Sequence, residues 1–145
     1  MKVNAHYEST LEKIISEHLV ESGWKEGGKE NYNRSVGLDL SELLLFIHET
    51  QKTAWNKLVG LHGSESICSE KFSERLAKEI DSRGTVDVLR KGVIDLGVKF
   101  KLAFFAPAHQ LSQEINSEYE ANRLTVTRQV KMSESNPDDS IDLVF

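Results

Sequence analysis

Residues 123–132 read RLTVTRQVKM, and residues 140–145 read SIDLVF. In the first run Leu124, Val126, Val130 and Met132 fall on alternate positions, the period of a strand with one buried face. Ile141, Leu143 and Phe145 are likewise in phase in the second, and the polar SESNPDDS between the runs is a turn. The two runs are therefore expected to pair as a hairpin. Arg128 shares the phase of the apolar positions, where a cation needs a partner. That partner is a helix carboxylate, or else Arg128 serves near a phosphate or a catalytic carboxylate. Gln129 and Asp142 would then lie on adjacent strands. Asp142 sits inside an apolar run, where an ionised carboxylate is costly unless something pairs with it or binds it.

Upstream, the period-2 pattern continues. VKFKLAFF puts Val98, Phe100, Leu102 and Phe104 on one face against Lys99 and Lys101, and Pro107 ends the run. TVDVLR also alternates, and a short helix is expected from Ser112 to about Ala121. Residues 98–105, 123–132 and 141–145 are expected to be neighbouring strands. The first half has the helical period instead. Leu11, Ile14, Ile15, His18 and Leu19 share one face, with Ser9 and Glu12 at capping-box spacing and Gly23 placed as a stop. KEGGKENYN reads as a loop. Asp39 can cap a helix whose Leu40, Leu43, Leu44 and Ile47 share a face. A short helix holds Trp55, Leu58 and Val59, and another turns Phe72, Leu76 and Ile80 inward before Gly84. The expected class is α/β (α+β), with a helical first half and a mixed β-meander second half in a single domain over 1–145.

With 145 residues, 39% hydrophobic and 28% charged, the chain can bury a real core. It has no apolar stretch of about 18 residues for a membrane span, and its N-terminus lacks the apolar core of a secretory signal. Cys68 is the single cysteine, which fits a reducing, cytoplasmic setting. The net charge of −5 is uneven: residues 1–82 carry −4, residues 83–131 carry +3, and the last 14 carry −4. A modest basic middle can touch phosphates, but the acidic balance argues against a free-standing nucleic-acid binder.

Several chemistries are absent from the pattern. KEGGKEN lacks the G-K-S/T ending of a phosphate loop. His6, His18, His48, His62 and His109 never pair at metal-ligand spacing, and His18 reads as a core residue. No serine stands in a nucleophile elbow, and nothing nearby in sequence activates Cys68. Carboxylates remain. Magnesium takes hard oxygen ligands, and such an ion can activate water and stabilise charge on a scissile phosphate.

The segments GTVDVLRKGVIDLGVKFKLAFFAP, YEANRLTVTRQVKMS and SIDLVF, in this order, resemble the N-terminal region of the R (restriction) subunit of type I restriction–modification enzymes. The likeness extends upstream to LEKIISEHLVESGW and TQKTAWNKL, and so covers nearly the whole chain. The combination of VLRKGV, NRLTVTRQV and DLVF is what makes it specific. The resemblance implies a PD-(D/E)xK, restriction-endonuclease-like domain that cuts double-stranded DNA with Mg2+. It belongs to a subunit that also carries ATP-driven translocase domains and works with methylase and specificity subunits. By the same resemblance Asp142 is a magnesium ligand, and Glu12 matches a glutamate on the first helix that is sometimes part of such sites. Glu12 equally fits the capping box. The E-x-K strand that completes the family's site would follow this sequence, so the 145 residues alone are expected to be inactive. Arg90, Lys91, Lys99 and Lys101 are candidates for contacts to the DNA backbone. The competing expectation is a non-catalytic domain of the same fold that docks a translocase or methylase.

Overall fold

The computed structural model describes residues 2–33, 36–106, 113–131 and 140–145, without the side chains of 2–6, 115, 131 and 142. In chain order the elements are α1 (Lys2–Glu21), β1 (Lys25–Gly27), β2 (Tyr32–Asn33), β3 (Leu38–Asp39), α2 (Leu40–Thr50), α3 (Lys52–His62), α4 (Glu65–Arg83), α5 (Thr85–Lys91), β4 (Val93–Asp95), β5 (Val98–Phe100), α6 (Gln113–Glu120), β6 (Thr125–Lys131) and β7 (Ser140–Val144). The chain is a mixed α/β protein. Its residues fall into two compact units: one comprises 1–39 with 123–145, the other 40–122.

In the first unit β6 is the middle strand of a sheet ordered β1-β6-β7. β6 and β7 are antiparallel, with Thr127 opposite Val144 and Lys131 opposite Ser140, so the expected hairpin partners do pair. β1 runs parallel to β6, Lys25 opposite Thr125. This strand lies in what reads as a loop, because KEG carries no alternating apolar signal and is held by backbone pairing. α1 packs on β1 and β6. It stops where Gly23 takes φ 99°, with Trp24 N–H bonded to Leu19 O and Gly23 N–H to Val20 O. Two expectations for α1 are corrected. The helix begins at Lys2, so Ser9 lies inside it and cannot be its N-cap. The buried face also differs: Glu12 and Ser16 are buried, while Leu11, Ile14 and His18 are exposed.

The second unit is built on an aromatic core. Phe72 meets Phe100 edge-on at 5.2 Å and Trp55 at 5.7 Å, and Phe46 lies 5.4 Å from Phe104. Burying each such ring is worth about 1.5–3 kcal/mol, and edge-on pairs add about 0.5–1.5 kcal/mol. The expected inward residues Trp55, Leu58, Phe72 and Leu76 are all buried. TVDVLR is a helix, α5, rather than a strand. Its alternation spans only four residues, and Arg83, Asp87 and Lys91 instead form an i,i+4 ladder at 2.8 and 3.1 Å. The VKFKLAFF run forms a ladder only over Val98–Phe100, and its partner is β4, not β6. The expected adjacency of 98–105 to 123–132 is therefore corrected. Gly92, at φ 73°, lets α5 turn into β4, where a Cβ would run into the Phe100 carbonyl oxygen. Pro107, His109, Met132 and most of SESNPDDS lie outside the described residues. No helix among the described residues is long and apolar enough to cross a membrane.

Candidate functional site

The first unit gathers polar side chains around Glu12, whose side chain is 8% exposed. Arg128 donates to Glu12 Oε2 from Nη2 at 3.2 Å and from Nε at 3.4 Å. Gln129 Nε2 donates to the other oxygen, Oε1, at 2.7 Å, and Ser140 Oγ donates to Gln129 Oε1 at 3.0 Å. Neighbouring residues of a regular strand point to opposite faces, yet 128 and 129 both reach the same carboxylate. The cause is local: Gln129 has φ 54°, which breaks the alternation. A left-handed residue with a Cβ costs about 1–2 kcal/mol. A hydrogen bond to a charged partner returns about 1.5–3 kcal/mol, so the strained conformation is held by its contact with Glu12.

The same residue marks the β6–β7 ladder. Thr127, Arg128, Val130 and Lys131 have partners at 144, 143, 141 and 140, a register that sets 129 opposite 142. Asp142 therefore faces the left-handed Gln129 across the two strands, and Gln129 is bonded to Glu12. The backbone of Asp142 is fixed by β7; its side chain lies outside the described residues. Glu12 is thus bonded to the residue that the register sets opposite position 142. Sequence spacing pointed to the hairpin but could not reveal the break at Gln129, because glutamine is not a residue that marks positive φ.

Magnesium is held by one or two carboxylates together with waters and substrate phosphate oxygens. Glu12 carries hard oxygens of that kind, and both accept hydrogen bonds, one from Arg128 and one from Gln129. Among the described residues no group of three His, Cys, Asp or Glu side chains could hold a metal. A hollow of about 440 Å³ adjoins Arg128, lined by Glu17, Glu21 and Glu26 against Lys13 and Arg128. Its excess of carboxylates repels a phosphate.

The second unit holds the cations. Arg90 and Lys91 at the end of α5, Lys99 on β5 and Lys101 just beyond it line one cleft of about 670 Å³. Glu118 of α6 is the single carboxylate among its lining residues. All four cations are exposed, and Lys91 is shared with Asp87 at 3.1 Å. A pair that sequence reasoning missed is His62 and Asp95, 3.2 Å apart with side chains 13% and 10% exposed. Cys68 offers no nucleophile near it. Burial first, then the carboxylates of Asp95 and Glu65, push its thiol up to about 11, which leaves it protonated and inert. In comparisons with protein-family models, with curated proteins and with solved structures, nothing matches the chain.

Proposed function

We propose that the chain is the N-terminal part of a magnesium-dependent DNA nuclease domain, of the kind carried by type I restriction R subunits. The observation that supports the reading is the buried Glu12 carboxylate, bonded to Gln129, the position that the β6–β7 register sets opposite 142. On this reading Asp142 and Glu12 hold Mg2+, which when bound activates water and stabilises charge on the scissile phosphate. Arg128 and Gln129 hold the Glu12 carboxylate in a fixed orientation, and Ser140 fixes the Gln129 amide in turn. Arg90, Lys91, Lys99 and Lys101 attract the sugar–phosphate backbone. The parent subunit would use ATP in translocase domains outside these residues and would work on double-stranded DNA with methylase and specificity partners in the cytoplasm. Alone, the 145 residues would bind magnesium weakly and leave DNA uncut.

One observation favours the rival, a non-catalytic docking domain of the same fold. Both Glu12 oxygens already have protein partners, as in a purely structural ion pair. Plasmid nicking separates the two. The parent subunit, assembled with its methylase and specificity partners and supplied with ATP and Mg2+, should nick supercoiled plasmid. The Asp142→Ala subunit should hydrolyse ATP normally and leave the plasmid intact. Nicking at the parental rate by Asp142→Ala would remove Asp142 from the metal site and favour the docking domain.

A further inference from the structure

The cleft of the second unit carries more than charge. The residues at 98, 100, 102 and 104 are buried, while Lys99, Lys101 and Phe105 are exposed, so the alternation of β5 persists beyond its ladder. Two side-chain amides stand where a partner strand would be. Gln51 Oε1 accepts from Lys101 N–H and Gln51 Nε2 donates to Lys101 O, both at 2.8 Å. Asn122 does the same to Phe104, accepting at 2.8 Å and donating at 2.6 Å. Gln51 precedes α3 at its N-cap, yet makes no capping bond there. These two clamps fix the backbone of 101–104 and thereby the wall of the cleft. Lys101 Nζ also lies 5.5 Å from the centre of the Phe104 ring, which orients the ammonium group.

Phe105 lines this cleft beside the cations and is 57% exposed. An aromatic ring held open among cations, on a wall whose order is already established, is the arrangement that binds an unpaired nucleotide strand. The cations take phosphates and the ring stacks on a base, without reading its identity. A stacked duplex keeps its base faces covered, so it offers phosphates to the cations but no base face to Phe105. We propose that this cleft binds single-stranded nucleic acid. Arg90, Lys91, Lys99 and Lys101 lie on phosphates, Phe105 stacks on a base, and Gln51 and Asn122 act as positioning residues. The proposal stands on residues 40–122 alone and does not depend on Asp142 or Glu12.

Fluorescence anisotropy with the 145-residue chain tests it, using a labelled oligo-dT 12-mer and a 12-base-pair duplex. The single strand should bind several-fold more tightly. Its log–log salt slope should be about −2 to −3, as three or four phosphate contacts require. Phe105→Ala should weaken single-strand binding roughly 5- to 100-fold, the usual range for one stacked base. Phe105→Trp should retain it. Phe105 is exposed, so both variants should keep the parental melting temperature, and Asp142→Ala should bind like the parent. Asn122→Ala should weaken single-strand binding and narrow the preference over duplex. Equal or tighter duplex binding, or an unchanged affinity in Phe105→Ala, would overturn the proposal. Displacement of the oligonucleotide by poly-glutamate at equal charge concentration would do so too, since it would mark a general anion surface.

Discussion

Replacing Arg128 by methionine removes the guanidinium that faces Glu12 while keeping an apolar side chain of similar reach. The Glu12 carboxylate would then be buried with Gln129 as its remaining partner from the Arg128–Gln129 pair. Breaking a fully buried ion pair costs about 3–5 kcal/mol. Here the Arg128 side chain is 33% exposed and Glu12 keeps one charge-assisted bond, which lowers the cost to about 2 kcal/mol. The first unit is small, so its melting transition should fall by roughly 5–15 °C, followed by circular dichroism. Removing the stranded charge as well should recover part of the loss. The double variant Glu12→Gln/Arg128→Met should therefore melt above Arg128→Met alone. An unchanged melting temperature in Arg128→Met, or a double variant whose losses simply add, would refute the claim that these groups act as a buried pair.

Three further outcomes follow from the second unit. Leu96 and Gly97, at φ 45° and 80°, form the two-residue turn between β4 and β5, a geometry that asparagine tolerates better than leucine. Leu96→Asn should raise stability by about 0.5–1 kcal/mol in urea unfolding; a loss would contradict the turn assignment. His62→Ala strands the Asp95 carboxylate and should cost about 2–3 kcal/mol, measured in the same way, with Asp95→Asn/His62→Ala recovering part of it. The Arg83 guanidinium, through its hydrogen bonds, holds the carboxyls of Glu79 and Asp87 below their ordinary 4.5 and 3.8. A lowered folded value means that the stabilisation is full above the ordinary range and is lost as pH falls through the folded values. The melting-temperature gap between the parent and Arg83→Gln should thus be constant near neutrality and close on acidification below about pH 4.5; a gap that widens in acid would reverse the sign.

What sequence could convey depended on where each signal was stored. Helices α2 to α4 were legible because Leu58, Phe72 and Leu76 mark one face at helical spacing and Gly84 marks an end. The β6–β7 pairing was legible from the alternation in both runs, although of the expected inward residues Val126 and Val130 are buried while Leu124, Ile141 and Phe145 are exposed. β1 was not, since a strand of Lys25, Glu26 and Gly27 exists through backbone pairing to β6 and carries no side-chain pattern. α5 was misread because Val86 and Val88 alternate by chance over a stretch governed by the Arg83–Asp87–Lys91 ladder. In the site, the four cations could be named one by one, but their meeting in one cleft required the turn at Gly92. The clamps of Gln51 and Asn122 act across 50 and 18 residues, a separation at which no local pattern reports. Glu12 stands out in sequence by its resemblance to a family pattern. Its burial between Arg128 and Gln129 came from an α1 that turns Leu11 and Ile14 outward, opposite to the apolar stripe.

The central claim is that Glu12 and Asp142 share a divalent cation beside Gln129. Paramagnetic Mn2+ titrated into the 15N-labelled chain reports even weak occupancy, by broadening amide signals near the ion. The amides around Glu12, Gln129 and Asp142 should broaden first and together, excess Mg2+ should restore them, and Asp142→Ala should abolish the effect. Broadening centred instead on the acidic residues of α4, or spread evenly over the chain and unchanged in Asp142→Ala, would contradict it.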